Sequence, residues 1–119
     1  MKRIAFVFTH GPHGSAAGRE GLDALLATSA INDRLGVFFI ADGVLLLLPE
    51  QRPSAILARD FAPTFGILPI YDINRLYLCA ESVSERGLGA VQKWVLDAEI
   101  VSAVEWRRCL SEFDIVLTF

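Results

Sequence analysis

The sequence predicts an α/β fold, a single three-layer α/β/α domain around a mainly parallel sheet of about five strands. Three observations lead there. Short, continuous apolar runs rich in β-branched and aromatic residues recur along the chain, and strands buried on both faces read this way. Between them lie stretches with apolar residues at helical spacing. The two patterns alternate rather than segregate, as crossover units of a parallel sheet require.

Residues 3–9 are the first expected strand, with Ile4, Phe6, Val7 and Phe8 at its centre and turn residues after it. His10-Gly11-Pro12-His13-Gly14-Ser15 is a loop. Leu22, Leu25, Leu26 and Ser29 repeat at helical intervals, so residues 19–32 are expected to be an amphipathic helix. A second strand spans 37–41 and is closed by Asp42-Gly43. Prolines and mixed periodicity in 44–73 suggest two short helices. Residues 76–80 are a third strand, followed by a short helix starting near Ser82. A weak strand is expected at 94–96. Ser102-Ala103-Val104-Glu105 has the form of a capping box, with the serine accepting a backbone N–H and the glutamate reaching back. The helix it opens carries Trp106, Cys109, Leu110 and Phe113 on one face, and residues 115–119 are the closing strand.

At 119 residues the chain fits one domain. Hydrophobic residues make up 53% before glycine is counted, whereas ordinary domains reach ~45–50% with glycine included. A small domain cannot hide that much apolar surface, so part of it is expected to meet partner chains. The two cysteines, Cys79 and Cys109, have no framework or metal-site spacing, which suits a reduced, cytoplasmic setting. No stretch approaches the ~20 apolar residues of a membrane span, and the apolar run after Met1-Lys2-Arg3 is too short for a signal peptide. Net charge is −3 with the basic residues dispersed, so direct nucleic-acid binding is not expected.

Ligands of open α/β sheets bind outside the carboxyl ends of strands. Three such ends carry chemistry here: His10 to Ser15, Asp42-Gly43, and Cys79-Ala80-Glu81-Ser82. Cys79 is the candidate catalytic residue, because a helix start after a strand favours a thiolate. Glu81, two residues on, opposes it, and the alternative is a buried cysteine acting as a small hydrophobe. Cys109 shares the face of Trp106 and Phe113 and is expected in the core. His10 and His13 are candidate general bases or hydrogen-bond donors to an anion, with loop solvation the other reading, and their spacing is no metal signature. Gly11, Gly14 and Gly18 lead into a helix without matching the dinucleotide or Walker patterns. Asp42 stands where a dinucleotide fold places its ribose-binding acid. No cofactor and no metal are expected.

The stretch Pro12-His13-Gly14-Ser15-Ala16-Ala17-Gly18-Arg19-Glu20-Gly21-Leu22-Asp23-Ala24-Leu25-Leu26-Ala27 resembles a signature of the DsrE/DsrF-like family. Further matches are Val37-Phe38-Phe39-Ile40-Ala41-Asp42-Gly43-Val44, Leu57-Ala58-Arg59-Asp60, Tyr71-Asp72-Ile73, and Cys79-Ala80 with Glu85-Arg86-Gly87-Leu88. The resemblance implies a subunit of a sulfur-relay (sulfurtransferase) complex supporting 2-thiolation of wobble uridine in tRNA. The implied partners are TusB-like and TusD-like sister subunits in a heterohexamer, a dimer of trimers, with sulfur carriers upstream and downstream. In such assemblies the persulfide cysteine belongs to the D-type subunit. Cys79 takes the corresponding strand-end position in a departing motif, which implies a mainly architectural, accessory role. Two readings stand beside it: an active persulfide carrier through Cys79, and a stand-alone nucleotide- or flavin-binding module using the His10 loop.

Overall fold

The computed structural model describes residues 2–12, 15–48, 62–91, 94–95 and 97–119, with the side chains of 62–64 excepted. Five strands form one sheet: β1 (Ile4–Phe8), β2 (Leu35–Phe39), β3 (Arg75–Cys79), β4 (Glu99–Val101) and β5 (Ile115–Thr118). Their order is β4-β3-β2-β1-β5, and every neighbouring pair is parallel. The helices are α1 (Ala17–Ser29), α2 (Ala80–Glu85) and α3 (Ala103–Leu110), with two 3₁₀ helices, Ala41–Leu47 and Ala62–Tyr71. Among the described residues no helix is long and apolar enough to cross a membrane.

Side-chain alternation along the strands sorts the core into two layers. Phe6, Phe8, Val37, Phe39, Leu76 and Leu78 pack with Leu22 and Leu25 of α1, Val83 of α2, and Val44, Leu46, Leu47, Phe65 and Leu68 of the 3₁₀ segments. Ala5, Val7, Phe38, Tyr77 and Cys79 point the other way and meet Trp106, Cys109 and Phe113 on and after α3. Phe38 is fully buried at the centre of this second layer. It stacks on Tyr77 at 5.0 Å and takes Trp106 and Phe113 edge-on at 5.4 and 5.5 Å. Each such contact adds ~0.5–1.5 kcal/mol beyond its buried area. The expected three layers and parallel sheet are present.

Coverage of the sheet is less complete than expected. All four residues of β5 are exposed, Val116 by 46% and Leu117 by 40%. β5 is an edge strand beside β1, and α3 is short and sits over the middle of the sheet.

Several boundaries move for local reasons. α1 starts at Ala17 rather than near Arg19, because the Ser15 hydroxyl oxygen accepts the Ala17 N–H at 3.0 Å. It ends at Ser29, short of Asn32, whose side chain instead accepts from Arg34 N–H and donates to the Lys2 carbonyl. β2 begins two residues early because Gly36, which breaks the apolar run in sequence, pairs with Ala5 and Arg75. Its chain leaves the sheet at Ala41, where φ is +56°. Asp42-Gly43 therefore lies inside a 3₁₀ helix rather than in a simple turn. β3 and α2 likewise begin one and two residues before the expected positions.

The two short helices expected in 44–73 are the two 3₁₀ segments, and residues 49–61 lie outside the described residues. No strand forms at Trp94 and Val95: the Val95 N–H bonds to the Leu47 carbonyl at 2.8 Å, and both side chains pack on the core. Leu96 lies outside the described residues. The fourth strand is Glu99–Val101 instead. At α3 the Ser102 hydroxyl accepts from Glu105 N–H at 3.2 Å, as expected of a cap. Glu105 does not reach back, because its carboxylate is held by Arg108.

Candidate functional site

The parallel sheet puts the carboxyl ends of β1, β2 and β3 side by side, and backbone contacts fuse the segments that follow them. Gly43 lies so close to the end of β1 that a Cβ there would overlap the Phe8 carbonyl. The Gly43 N–H bonds to the Ile40 carbonyl at 2.9 Å, and Ile40 N–H to the Phe8 carbonyl at 3.1 Å. The left-handed Ala41 conformation costs ~1–2 kcal/mol for a residue with a Cβ. It is held by the Ser82 hydroxyl of α2, which accepts the Ala41 N–H at 2.9 Å. Arg86 completes the join, donating to Asp42 Oδ1 at 2.9 Å and to the Ser82 carbonyl at 3.1 Å. The carboxylate of Asp42 is thus engaged with α2, in a partly exposed pair that contributes modestly.

Cys79 ends β3 and faces α3, not the Asp42–Arg86 side. Its residue exposure is 2%. The thiol points toward Glu81, with Sγ 4.0 Å from Oε1. That same oxygen accepts the Ala103 N–H at the start of α3 at 2.8 Å. The first turn of a helix is a favourable place for a carboxylate, so Glu81 pins α3 above the cysteine. Buried at 2% exposure under Trp106 and Cys109, the thiol has little access to a reaction partner.

His10 follows β1 and is separated from Cys79 by β2, roughly 10 Å of sheet. Its Nδ1 lies 3.2 Å from Thr9 Oγ1. The Thr9 hydroxyl donates to the Phe119 carbonyl at 3.1 Å. With that proton committed, the imidazole donates from Nδ1 to the Thr9 oxygen. His13 and Gly14 lie outside the described residues. Among the described residues no three His, Cys, Asp or Glu side chains gather as a metal cluster. The expected edge exists, but it does not bring thiol, imidazole and the Asp42 carboxylate into one constellation.

Cys109 is core, as expected, at 5% exposure. Burial pushes its thiol up, and the nearby Glu105 carboxylate adds to the effect. Sequence reasoning missed Ser82 and Arg86, which lock the strand ends together, and the hold of Glu81 on Ala103. The polar run Glu81-Ser82 at a strand-to-helix junction was the available signal, but its partners come from distant segments.

Comparison with known proteins agrees with this architecture. A model of the DsrE/DsrF-like family matches residues 2–119. "Protein TusC" from two strains of Klebsiella pneumoniae is 60% and 58% identical over 119 residues, covering 100% of this chain and of each relative. Among solved structures, the ychN protein from E. coli superposes with a TM-score of 0.82 at 25% identity, over 100% of both chains. The chain belongs to the DsrE/DsrF-like family.

Proposed function

We propose that this chain is a mainly architectural subunit of a sulfur-relay complex supporting 2-thiolation of wobble uridine in tRNA. It acts as one domain over residues 1–119, in the cytoplasm, within a heterohexamer of TusB-like and TusD-like sister subunits. The full-length likeness to Protein TusC supports the relay. The observation that carries the architectural part is the state of Cys79: 2% exposed, with Glu81 at its thiol and α3 closed above it. Strand β5 supports assembly. Ile115, Val116 and Leu117 form an uncharged, exposed edge, a surface that soluble proteins cover or blunt.

Replacing Cys79 by Ser in cells should leave tRNA thiolation near its normal level, while deleting the chain should abolish it through loss of the complex. Low thiolation in Cys79→Ser cells with assembly intact would overturn the architectural reading in favour of a carrier role for Cys79. In that case mass spectrometry after exposure to a persulfurated donor would find one added sulfur on Cys79.

A further inference from the structure

We infer that the amino-terminal edge of the sheet, opposite the strand ends described above, holds a site for one phosphate-class oxyanion, either free phosphate or a phosphomonoester. A cavity of about 390 Å³ opens there, with Arg3, Arg34, Arg75, Asp33, Asp72 and Phe113 in its walls. The register explains why three arginines converge. Ile4 pairs with Leu35, so Arg3 and Arg34, each one residue earlier, stand side by side about 4.8 Å apart along the sheet. Ile4 and Leu35 belong to the α1-side layer, and alternation turns both arginines to the α3 side. Arg75 shares the parity of Tyr77 and Cys79 and faces the same way.

One arginine of the three is fixed by an aromatic ring and an ion pair. Gly36 leaves room for Phe113, since a Cβ at that position would overlap the ring. The Arg75 guanidinium lies 5.0 Å over that ring and donates to Glu112 at 2.8 Å. The side chains of Arg3 and Arg34 make no ion pair among the described residues. The Arg3 and Arg34 guanidiniums stand side by side, with the Asp114 carboxylate near Arg3, and their planar forks match the oxygens of a phosphate. Asp33 and Asp72 restrict what can enter. Their charges oppose a long polyanion and, set against three arginines in the same walls, suit the cavity to one compact anion. Together with the net charge of −3, this selects a discrete phosphate over a nucleic-acid backbone. The site is independent of what Cys79 does.

The test titrates the full chain with sodium phosphate at constant ionic strength, following arginine Nε–H and backbone amide resonances by NMR. Saturable shifts confined to Arg3, Arg34, Arg75 and their neighbours are expected. Arg34→Gln and Arg3→Gln should each weaken binding by about tenfold, while Arg107→Gln on α3 should not, with all three variants unfolding at the unmodified temperature. Tighter binding of ribose 5-phosphate than of phosphate would identify a phosphomonoester, and equal binding free phosphate. Shifts that chloride reproduces, an equal loss in Arg107→Gln, or tighter binding of a single-stranded RNA would each overturn the assignment.

Discussion

One carboxylate oxygen of Glu81 serves both Cys79 and the first turn of α3, 4.0 Å from the thiol sulfur and 2.8 Å from the Ala103 nitrogen. Glu81 therefore ties the start of α3 to the cysteine that Trp106 and Cys109 also cover.

Removing the Glu81 side chain should expose the thiol. A hydrogen bond to a charged group contributes ~1.5–3 kcal/mol, so Glu81→Ala should raise the local opening equilibrium at Cys79 by about tenfold or more. The labelling rate of Cys79 by a thiol reagent, read in a Cys109→Ser background shared by all variants, measures this. Glu81→Gln, which can still accept from Ala103, should label at an intermediate rate. Equal rates in all three proteins would mean that Glu81 does not cover the cysteine.

Gly43→Ala should be among the most damaging changes of a single methyl group. The added carbon meets the Phe8 carbonyl, a backbone atom inside the sheet that has no rotamer to escape into. A loss of about 3 kcal/mol is expected, read as a lower urea midpoint with an unchanged slope.

At the start of α3, Ser102→Ala should cost about 1 kcal/mol, since its oxygen satisfies the Glu105 N–H. Glu105→Gln should cost less, because the Glu105 carboxylate holds the exposed Arg108 rather than the helix end. Chemical denaturation of the two variants distinguishes a half-formed capping box from a complete one.

Acid should weaken the fold through two carboxyls beside β1, β3 and β5. The Arg3 backbone N–H holds Asp114 below the usual aspartate value of 3.8, and the Arg75 hydrogen bond holds Glu112 below 4.5. Each group is more acidic folded than unfolded, so its contribution is complete above those ordinary values and disappears as pH falls through the lower, folded ones. Urea midpoints measured from neutral pH down to pH 3 should fall less steeply for Asp114→Asn and Glu112→Gln than for the unmodified protein.

Much of the fold was legible because buried parallel strands announce themselves. Ile4 to Phe8 and Leu76 to Cys79 are continuous apolar runs, and α1 has clear periodicity. β4 was not legible, because an exposed three-residue edge strand has neither apolar continuity nor alternation to display. Gly36 hid the start of β2, since its role is to admit Phe113 from a distant segment. The site was half legible for the same reason. Cys79 could be placed at a strand end from sequence alone. Its direction toward α3, its burial, and the distance from His10 depend on strand order and register, which local patterns do not encode. The arginine row was invisible: Arg3, Arg34 and Arg75 are far apart in sequence and meet only through the ladder.

The pairing of Ile4 with Ile115 also governs when this protein can be made safe. During synthesis, β1 emerges more than a hundred residues before β5, and its outer flank stays open until β5 has left the ribosome. Closing so long a loop is entropically slow, and a waiting apolar strand invites intermolecular pairing. Nascent chains should thus rely on chaperone holding, or on neighbours synthesised nearby, until β5 docks.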